Sequence, residues 1–373
     1  LKQFDIVETD NKIQHMLKRI SLLQKLLRQE GLSAMIVSGL NNIRYLCGYT
    51  GSNGMMIVTR SHATFYTDFR YQEQMKQEVR GCKKKVLERD LYASFPVEDL
   101  RRFIAGTRVP RLGIEEGNLT LARFRLLRRQ LKGFKLVPVR DLVLELRRKK
   151  SAEEIKLMSR AQEITEEGFN RVLKLVKPGV TERELALEIE FYFRQFGEVA
   201  FPSIVAAGEN AAKPHARAGE RRLRRGDCIT FDIGCRYQGY CADMTRTVFL
   251  GKPDPELKRV YEAVLKAQQE ALSVIKPGVP CKLVDLTSRD YLNRLGLGKY
   301  FGHSLGHGVG LDVHEQPVLA RTGKQILETG DVVTVEPGVY LPGKGGVRIE
   351  DMVLVTRTGI HNFTKASKEL IIL

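Results

Sequence analysis

The segment Ile229–Thr247, ITFDIGCRYQGYCADMTRT, constrains the fold more than any other part of the chain. Its β-branched and aromatic residues call for strands, and its one obvious turn signal makes those strands a hairpin. With Tyr237 and Gln238 as a two-residue loop, Arg236 lies opposite Gly239 and Asp232 falls directly opposite Asp243. That register sets Phe231 against Met244 and Ile233 against Ala242 on one face, with Thr230 meeting Thr245 beside the aspartates on the other. Side chains so opposed have Cβ atoms about 4.5–5.5 Å apart, and like charges at that distance destabilise a sheet unless something neutralises them. A multivalent cation or a shared proton would do so. On this stretch alone, a solvent-facing hairpin whose aspartates never meet is an equal alternative.

A chain of 373 residues, 43% of them hydrophobic, is long for one core and points to two domains. The net charge of +17 raises the question of nucleic acid. The excess is diffuse, however, strongest in Arg221–Arg225, in Leu146–Lys150 and around Arg125–Lys135, with no aromatic interleaving. A solvated basic surface without specific nucleic-acid recognition is the expectation. No run of about 18 apolar residues marks a membrane span, and the opening LKQFDIVETDNK lacks the apolar core of a secretory signal. Six cysteines scattered without a CxxC pair suit reduced thiols, so a cytoplasmic location is expected.

Ile20, Leu22, Leu23, Leu26 and Leu27 fall at helical spacing, Gly31 stops that helix, and Ala34–Val37 reads as a buried strand. Asn42–Gly54 reads as a loop, Met55–Thr59 and Thr64–Tyr66 as strands, and Arg108–Glu115 as another. Residues 1–147 therefore form a small α/β domain, and residues 148–373 a second domain opening at the capping-box spacing Ser151–Glu154. A second box spans Thr181–Glu184. Lys177-Pro178-Gly179-Val180 and Lys276-Pro277-Gly278-Val279 each sit between helix patterns, which suggests a duplicated unit with pseudo-twofold symmetry; convergent turn chemistry is the plainer account.

Further candidate ligands follow. Phe301–Glu315 holds His303, His307 and His314 among glycines that argue against a helix and let backbone pass close to a ligand. Asp331–Gly338 reads as a strand ending in Glu336, and Gly346–Val355 as its successor carrying Glu350. Carboxylates among apolar strand residues need hydrogen bonds, cations or protonation. Asp232, Asp243, His307, Glu336 and Glu350 together offer four carboxylates and one imidazole. That set favours Mn²⁺, with Co²⁺, Zn²⁺ or Fe²⁺ as other occupants, and its negative charge suits two ions better than one.

In order along the chain, FDIGCRYQGYCADMTRT, GHSLGHGVGLDVHE, TVEPGVY and GGVRIED resemble the metallopeptidase family of aminopeptidase P, prolidase and methionine aminopeptidase. NIRYLCGYTGSNG is similar to the creatinase-type N-domain of Xaa-Pro peptidases. The resemblance implies an α+β chain: a C-terminal pita-bread catalytic domain of duplicated ααβ units around a curved antiparallel sheet, behind a smaller N-terminal α/β domain. It implies that Asp232 chelates one metal, that Asp243 and Glu350 bridge two, and that His307 and Glu336 complete the shell around a nucleophilic bridging hydroxide. Glu336 would also handle the proton, His215, His303 and His314 would line the substrate cleft, and Arg348 would organise the carboxylates or contact substrate. The implied substrates are peptides with proline second, and the implied assembly is a homodimer or homotetramer. Several prolidases carry an arginine four residues beyond the histidine matching His314; Val318 stands there, which tilts the expectation to aminopeptidase P over prolidase. A family member acting only as a peptide- or nucleic-acid-binding module is the alternative of another class, disfavoured by the intact ligand set.

Overall fold

The computed structural model describes residues 2–104, 109–140 and 142–373, with side chains from residue 13 onward. The chain divides into two compact units, Leu1–Arg147 and Arg148–Leu373.

In the first unit, the long helix Lys2–Gln29 buries Ile20, Leu23 and Leu27, and Gly31 ends the run at φ 65°. A six-stranded sheet follows in the spatial order Lys83–Leu87, Ala63–Asp68, Met55–Thr59, Ala34–Val37, Arg111–Glu115, Lys135–Val139. Its central pairs are antiparallel and its outer pairs parallel. The helices Gln72–Glu78 and Leu121–Gln130 make two of the parallel crossovers. The strand expected over Arg108–Glu115 begins at Arg111, and Arg108 itself lies outside the described residues. Part of the stretch expected to be a loop is the helix Leu40–Cys47. Two asparagines mask it in the sequence, but Ile43, Leu46 and Cys47 share one buried face and Gly48 terminates it at φ 84°.

The second unit begins with the helices Ala152–Leu173 and Glu182–Arg194, each opened by a complete capping box, from Ser151 to Glu154 and from Thr181 to Glu184. A matching pair, Pro255–Val274 and Cys281–Arg294, comes later. Both Lys-Pro-Gly-Val turns place glycine in the left-handed region, Gly179 at φ 92° and Gly278 at φ 87°. The Gly179 N–H donates to Leu223 O and the Leu223 N–H to Val180 O; Gly278 and Val279 make the same pair of bonds with Leu327. Downstream of each leucine comes a Gly-Asp strand start, Gly226-Asp227 and Gly330-Asp331, tied back to Leu250 and Val355 respectively by the same two-bond pattern. The duplication is therefore structural as well as sequential, and it makes Asp232 and Glu336 positional equivalents.

Each half has its own core. Ile164, Phe169, Ile189, Phe193, Phe231 and Val248 anchor the first, while Val264, Ala267, Leu305, Val333, Val347 and Val353 anchor the second. The strands pair antiparallel: Cys228–Ile233 lies between Met244–Phe249 and Ile204–Ala207, and a five-stranded sheet runs from Glu315–Leu319 through Gly306–Gly308, Val332–Val335 and Asp351–Val355 to Ile360–Asn362.

The hairpin register differs from expectation by two residues. Tyr237 pairs with Tyr240, so the turn is Gln238-Gly239, both at positive φ (45° and 88°) as a tight hairpin turn requires. Asp232 then faces Thr245, Phe231 faces Arg246, Ile233 faces Met244, and Thr230 faces Thr247, whose hydroxyl is 3.2 Å away. A shift of two preserves the face of every side chain, so Asp232 and Asp243 remain on one side, diagonal rather than opposed. The strand expected over Gly346–Val355 is two strands. Gly345–Arg348 pairs with Gly338–Leu341 and Asp351–Val355 with Val332–Val335, leaving Glu350 at the break between sheets.

Candidate metal centre

Five carboxylate or imidazole side chains meet where the two halves of the second unit join. Asp243, His307 and Glu350 each offer a ligand atom within 4.8 Å of the others. His307 Nε2 lies 3.3 Å from Glu336 Oε1 and 3.7 Å from Asp243 Oδ2. Asp232 is turned toward Arg348, whose Nη2 donates to its Oδ2 at 2.6 Å.

The local sequence explains these positions. His307 sits in the short strand Gly306–Gly308, where a Cβ on Gly306 would stand 2.0 Å from Thr334 O and one on Gly308 2.3 Å from Gln316 O. Only glycine lets the neighbouring strands close on both sides of the imidazole. The His307 N–H donates to Thr334 Oγ1 at 3.0 Å, and Thr334 Oγ1 donates to Glu336 Oε1 at 3.1 Å. The ring nitrogen Nδ1 faces Gly308 O at 3.0 Å, which places its proton there and leaves Nε2 with a lone pair aimed at carboxylates. A lone pair facing carboxylate oxygens is repulsive unless a cation or proton intervenes.

The electrostatics point the same way. Burial, then the charges of Glu350, Asp232 and Glu336, push Asp243 well above the carboxylate range. Burial and the Glu336 and Asp232 charges do the same to Glu350. Burial also raises Asp232, against the pull of Arg348. Burial would raise Glu336, but the hydrogen bond and charge of His307 hold it low. Burial pulls the His307 imidazole down, and Glu336 outweighs it to leave the ring raised. Glu350 Oε2 accepts from Thr245 Oγ1 at 2.8 Å, yet its Oε1 is buried without a hydrogen-bond partner. An orphaned carboxylate oxygen in a cluster of three further carboxylates and a correctly tautomerised imidazole fits a divalent cation.

Arg348, fully buried, organises one wall. Besides Asp232 it donates through Nε to Thr245 Oγ1 (3.1 Å) and through Nη1 to Tyr340 Oη (2.7 Å) and Pro214 O (3.3 Å). Tyr340 Oη lies 2.9 Å from His303 Nε2, and His303 Nδ1 lies 2.8 Å from Ser304 O. Both His303 nitrogens are thus engaged, and burial keeps the ring low and neutral. Burial pushes the Tyr340 phenol up to about 12, so it stays a donor. His314 and His215 are exposed. The His314 ring centroid is 4.4 Å from that of His307, and the proximity of His215 helps depress it, after burial and His307.

Sequence reasoning missed the residues that hold these groups. Thr245 and Tyr340 lie inside quoted motifs, but a threonine and a tyrosine among strand residues look like sheet formers until the register is known. Asp285 and Arg289, four apart on Cys281–Arg294, form a buried ion pair at 2.8 Å. Asp285 Oδ1 accepts from Leu305 N, and Arg289 donates to Phe301 O and His303 O, which pins the histidine loop. Only their i,i+4 spacing signals them.

A buried carboxylate–imidazole centre at the seam of a duplicated helix–sheet unit defines the class: a metal-dependent hydrolase. The chain belongs to metallopeptidase family M24, whose model matches residues 156–357; the Creatinase/Prolidase N-terminal domain model matches residues 19–149. The expected creatinase-type N-terminal and pita-bread catalytic folds are both present. The chain is 37% identical to a solved Xaa-Pro dipeptidase from Bacillus anthracis, with a TM-score of 0.91 over 96% of this chain and 100% of that one. It is 34% identical to a Xaa-Pro dipeptidase of Pyrococcus horikoshii over 95% of this chain and 99% of the relative. An X-Pro aminopeptidase structure from Thermotoga maritima is 35% identical, with a TM-score of 0.84 over 93% and 99%. Among the described residues, no helix is long and apolar enough to cross a membrane.

Proposed function

We propose that the protein is a Xaa-Pro dipeptidase with two divalent cations, held by Asp232, Asp243, His307, Glu336 and Glu350, and that residues 1–147 and 148–373 are its domains. The observation that carries the metal centre is the cluster of Asp243, His307 and Glu350, in which Glu350 Oε1 is buried without a hydrogen-bond partner. The dipeptidase reading draws on relatives of that name matched over nearly their full length. Val318 argues for an aminopeptidase, as does the likeness to the Thermotoga maritima enzyme, so this is the second reading. Mn²⁺ suits the oxygen-rich donor set best. A homo-oligomer in the cytoplasm accords with the resemblance and with six unpaired cysteines.

Bound cations would supply Lewis-acid activation of water and of the scissile carbonyl. Glu336, whose Oε1 is poised 3.3 Å from His307 Nε2, accepts the proton of the attacking water and returns it to the proline nitrogen, which has no hydrogen of its own in the peptide. His314 and His215, exposed beside the centre, donate to the carbonyl oxygen as it gains negative charge. Arg348 and Tyr340 hold Asp232 and His303 in place.

The test loads the purified chain with Mn²⁺, measures bound metal, and compares a Xaa-Pro dipeptide with a Xaa-Pro-Yaa tripeptide. Dipeptide hydrolysis is expected. Cleavage of the tripeptide alone would hand the assignment to aminopeptidase P, and metal binding without either cleavage would overturn the peptidase reading.

A further inference from the structure

Position by position, the pseudo-twofold relates the strand Met244–Phe249 to the strand Asp351–Val355. Leu250 and Val355 make equivalent bonds to the two Gly-Asp strand starts, so counting back makes Thr245 the counterpart of Glu350 and Arg246 the counterpart of Asp351. The strand pairings agree: Arg246 faces Phe231 and Asp351 faces Val335, the residues just before Asp232 and Glu336. These counterparts bond to each other, as equivalent groups on a twofold axis do. Thr245 Oγ1 donates to Glu350 Oε2, Glu350 N donates to Thr245 O at 3.1 Å, and Arg246 Nη2 donates to Asp351 Oδ1 at 2.9 Å. The Arg246–Asp351 ion pair is fully buried, opposite apolar strand residues on both sides. A charge in such a place is costly unless its pairing is complete.

Arg246 meets that requirement by using all five of its N–H groups. Besides Asp351, Nη2 donates to Ala366 O at 2.7 Å, and Nε donates to Ser367 O at 3.0 Å. Nη1 donates to Thr245 O at 3.0 Å and to Glu350 O. Asp351 in turn accepts at Oδ2 from Lys368 Nζ and, at 2.9 Å, from Asn362 Nδ2. The planar guanidinium is thus fixed by Asp351 and the segment Ala366–Ser367, and with its remaining nitrogen it grips the backbone on both sides of the seam, at Thr245 and Glu350.

We propose that Arg246 is a positioning residue for the metal centre: its guanidinium fixes the backbone of Glu350, while Asp351 and Lys368 fix the guanidinium. The proposal rests on the reading of Glu350 as a metal ligand. Consecutive strand residues project to opposite faces, so Arg246 leaves the strand on the side away from Thr245 Oγ1 and acts on Glu350 through its main chain alone. Glu350 lies where the chain passes from one sheet to another: the strand Gly345–Arg348 ends before it and the strand Asp351–Val355 begins after it. The strand pairings therefore stop on either side of the ligand, and the rigid guanidinium fork spans the gap. Functional side chains must be held to within about 0.5 Å of their working geometry, which gives that fork a role in ligation beyond the fold. A lysine in its place would keep the charge and lose the fork.

The experiment uses the full chain stripped of metal and reads Mn²⁺ affinity by calorimetric titration, visible absorption after Co²⁺ loading, and the unfolding midpoint without metal. Arg246→Lys should bind Mn²⁺ about 10–100-fold more weakly, as the loss of an orienting partner does, and should give an altered Co²⁺ spectrum. Asp351→Asn controls for simple loosening, because it removes a buried charge but keeps an acceptor for Arg246 and the bond to Glu350 O. It should lower the midpoint while leaving the Co²⁺ spectrum unchanged and the Mn²⁺ affinity within about threefold. Arg246→Met combined with Asp351→Leu removes both buried charges, a replacement that often preserves stability, and should fold yet bind Mn²⁺ as weakly as Arg246→Lys. Parental affinity in either Arg246 variant, or an equal loss in Asp351→Asn, would overturn the proposal and leave the metal centre standing. Loss of cooperative unfolding in both Arg246 variants would assign the residue to the fold alone and overturn it likewise. An unmodified chain that takes up no Mn²⁺ would overturn the metal centre itself, and this proposal with it.

Discussion

Replacing Thr245 by valine keeps the shape of a fully buried side chain and deletes one hydroxyl that serves two buried ionisable groups. That hydroxyl donates to Glu350 Oε2 at 2.8 Å and accepts from Arg348 Nε at 3.1 Å. Among the described residues it supplies the only hydrogen bond to the Glu350 carboxylate, whose other oxygen already lacks a partner. Arg348 keeps Asp232, Tyr340 and Pro214 and loses less. Leaving a buried polar group unsatisfied costs about 1–3 kcal/mol, with charged groups at the upper end. The variant should therefore lose about 2–3 kcal/mol of stability with metal chelated. Loss of an orienting partner weakens metal binding about 10–100-fold. Urea denaturation gives the first quantity, with hydrogen exchange at the Met244–Phe249 amides isolating the second unit, and calorimetric titration with Mn²⁺ gives the second. A variant within about 0.5 kcal/mol of the parent, with unchanged Mn²⁺ affinity, would show that Thr245 does not orient Glu350 and would refute the reasoning.

Gly306→Ala puts a Cβ 2.0 Å from Thr334 O and strains the strand that carries His307, so a loss of about 3 kcal/mol is expected, read as a fall in Tm of roughly 6–12 °C; an unchanged Tm contradicts the close approach. At acid pH, Glu209 is depressed to about 2 by its hydrogen bonds to Arg221. A depressed carboxylate stabilises the fold above its unfolded pKa and loses that contribution as pH falls toward about 2. Because the Glu209 side chain is 57% exposed, screening reduces the effect to about 1 kcal/mol or less. The stability difference between parent and Glu209→Gln should accordingly be constant above about pH 5 and shrink on acidification, a trend that acid-series urea titrations would detect.

Much of the candidate site was legible because its residue types are costly anywhere else. Asp232, Asp243, Glu336 and Glu350 stand among strand-forming apolar residues, where an uncompensated carboxylate is unstable, and the glycines around His307 permit an approach that any Cβ would block. The roles that escaped belong to common residues whose meaning is positional. Thr245 is an ordinary strand residue until it faces Asp232 and reaches Glu350, and Arg289 an ordinary helix residue until its guanidinium meets the carbonyls of Phe301 and His303. The repeat Gly-Asp-x-x-Thr-x-Asp/Glu-x-Gly at Gly226–Gly234 and Gly330–Gly338 lies open in the sequence, and its two halves become recognisable as equivalents once their turns make the same hydrogen bonds.

The sequence by itself determined the faces of the hairpin, because side chains alternate with period two and a slip of two residues leaves every face unchanged. It also determined both helix starts marked by capping boxes, since those bonds close within four residues. The tertiary structure alone decided the register, set by two positive-φ residues at Gln238-Gly239, and the break at Glu350, where the strand leaves one sheet for another. It also decided which carboxylate meets Arg348 and which is left bare for a cation. Those choices depend on contacts between residues more than 100 positions apart, such as Thr245 with Glu350, and only the packed halves bring them within reach.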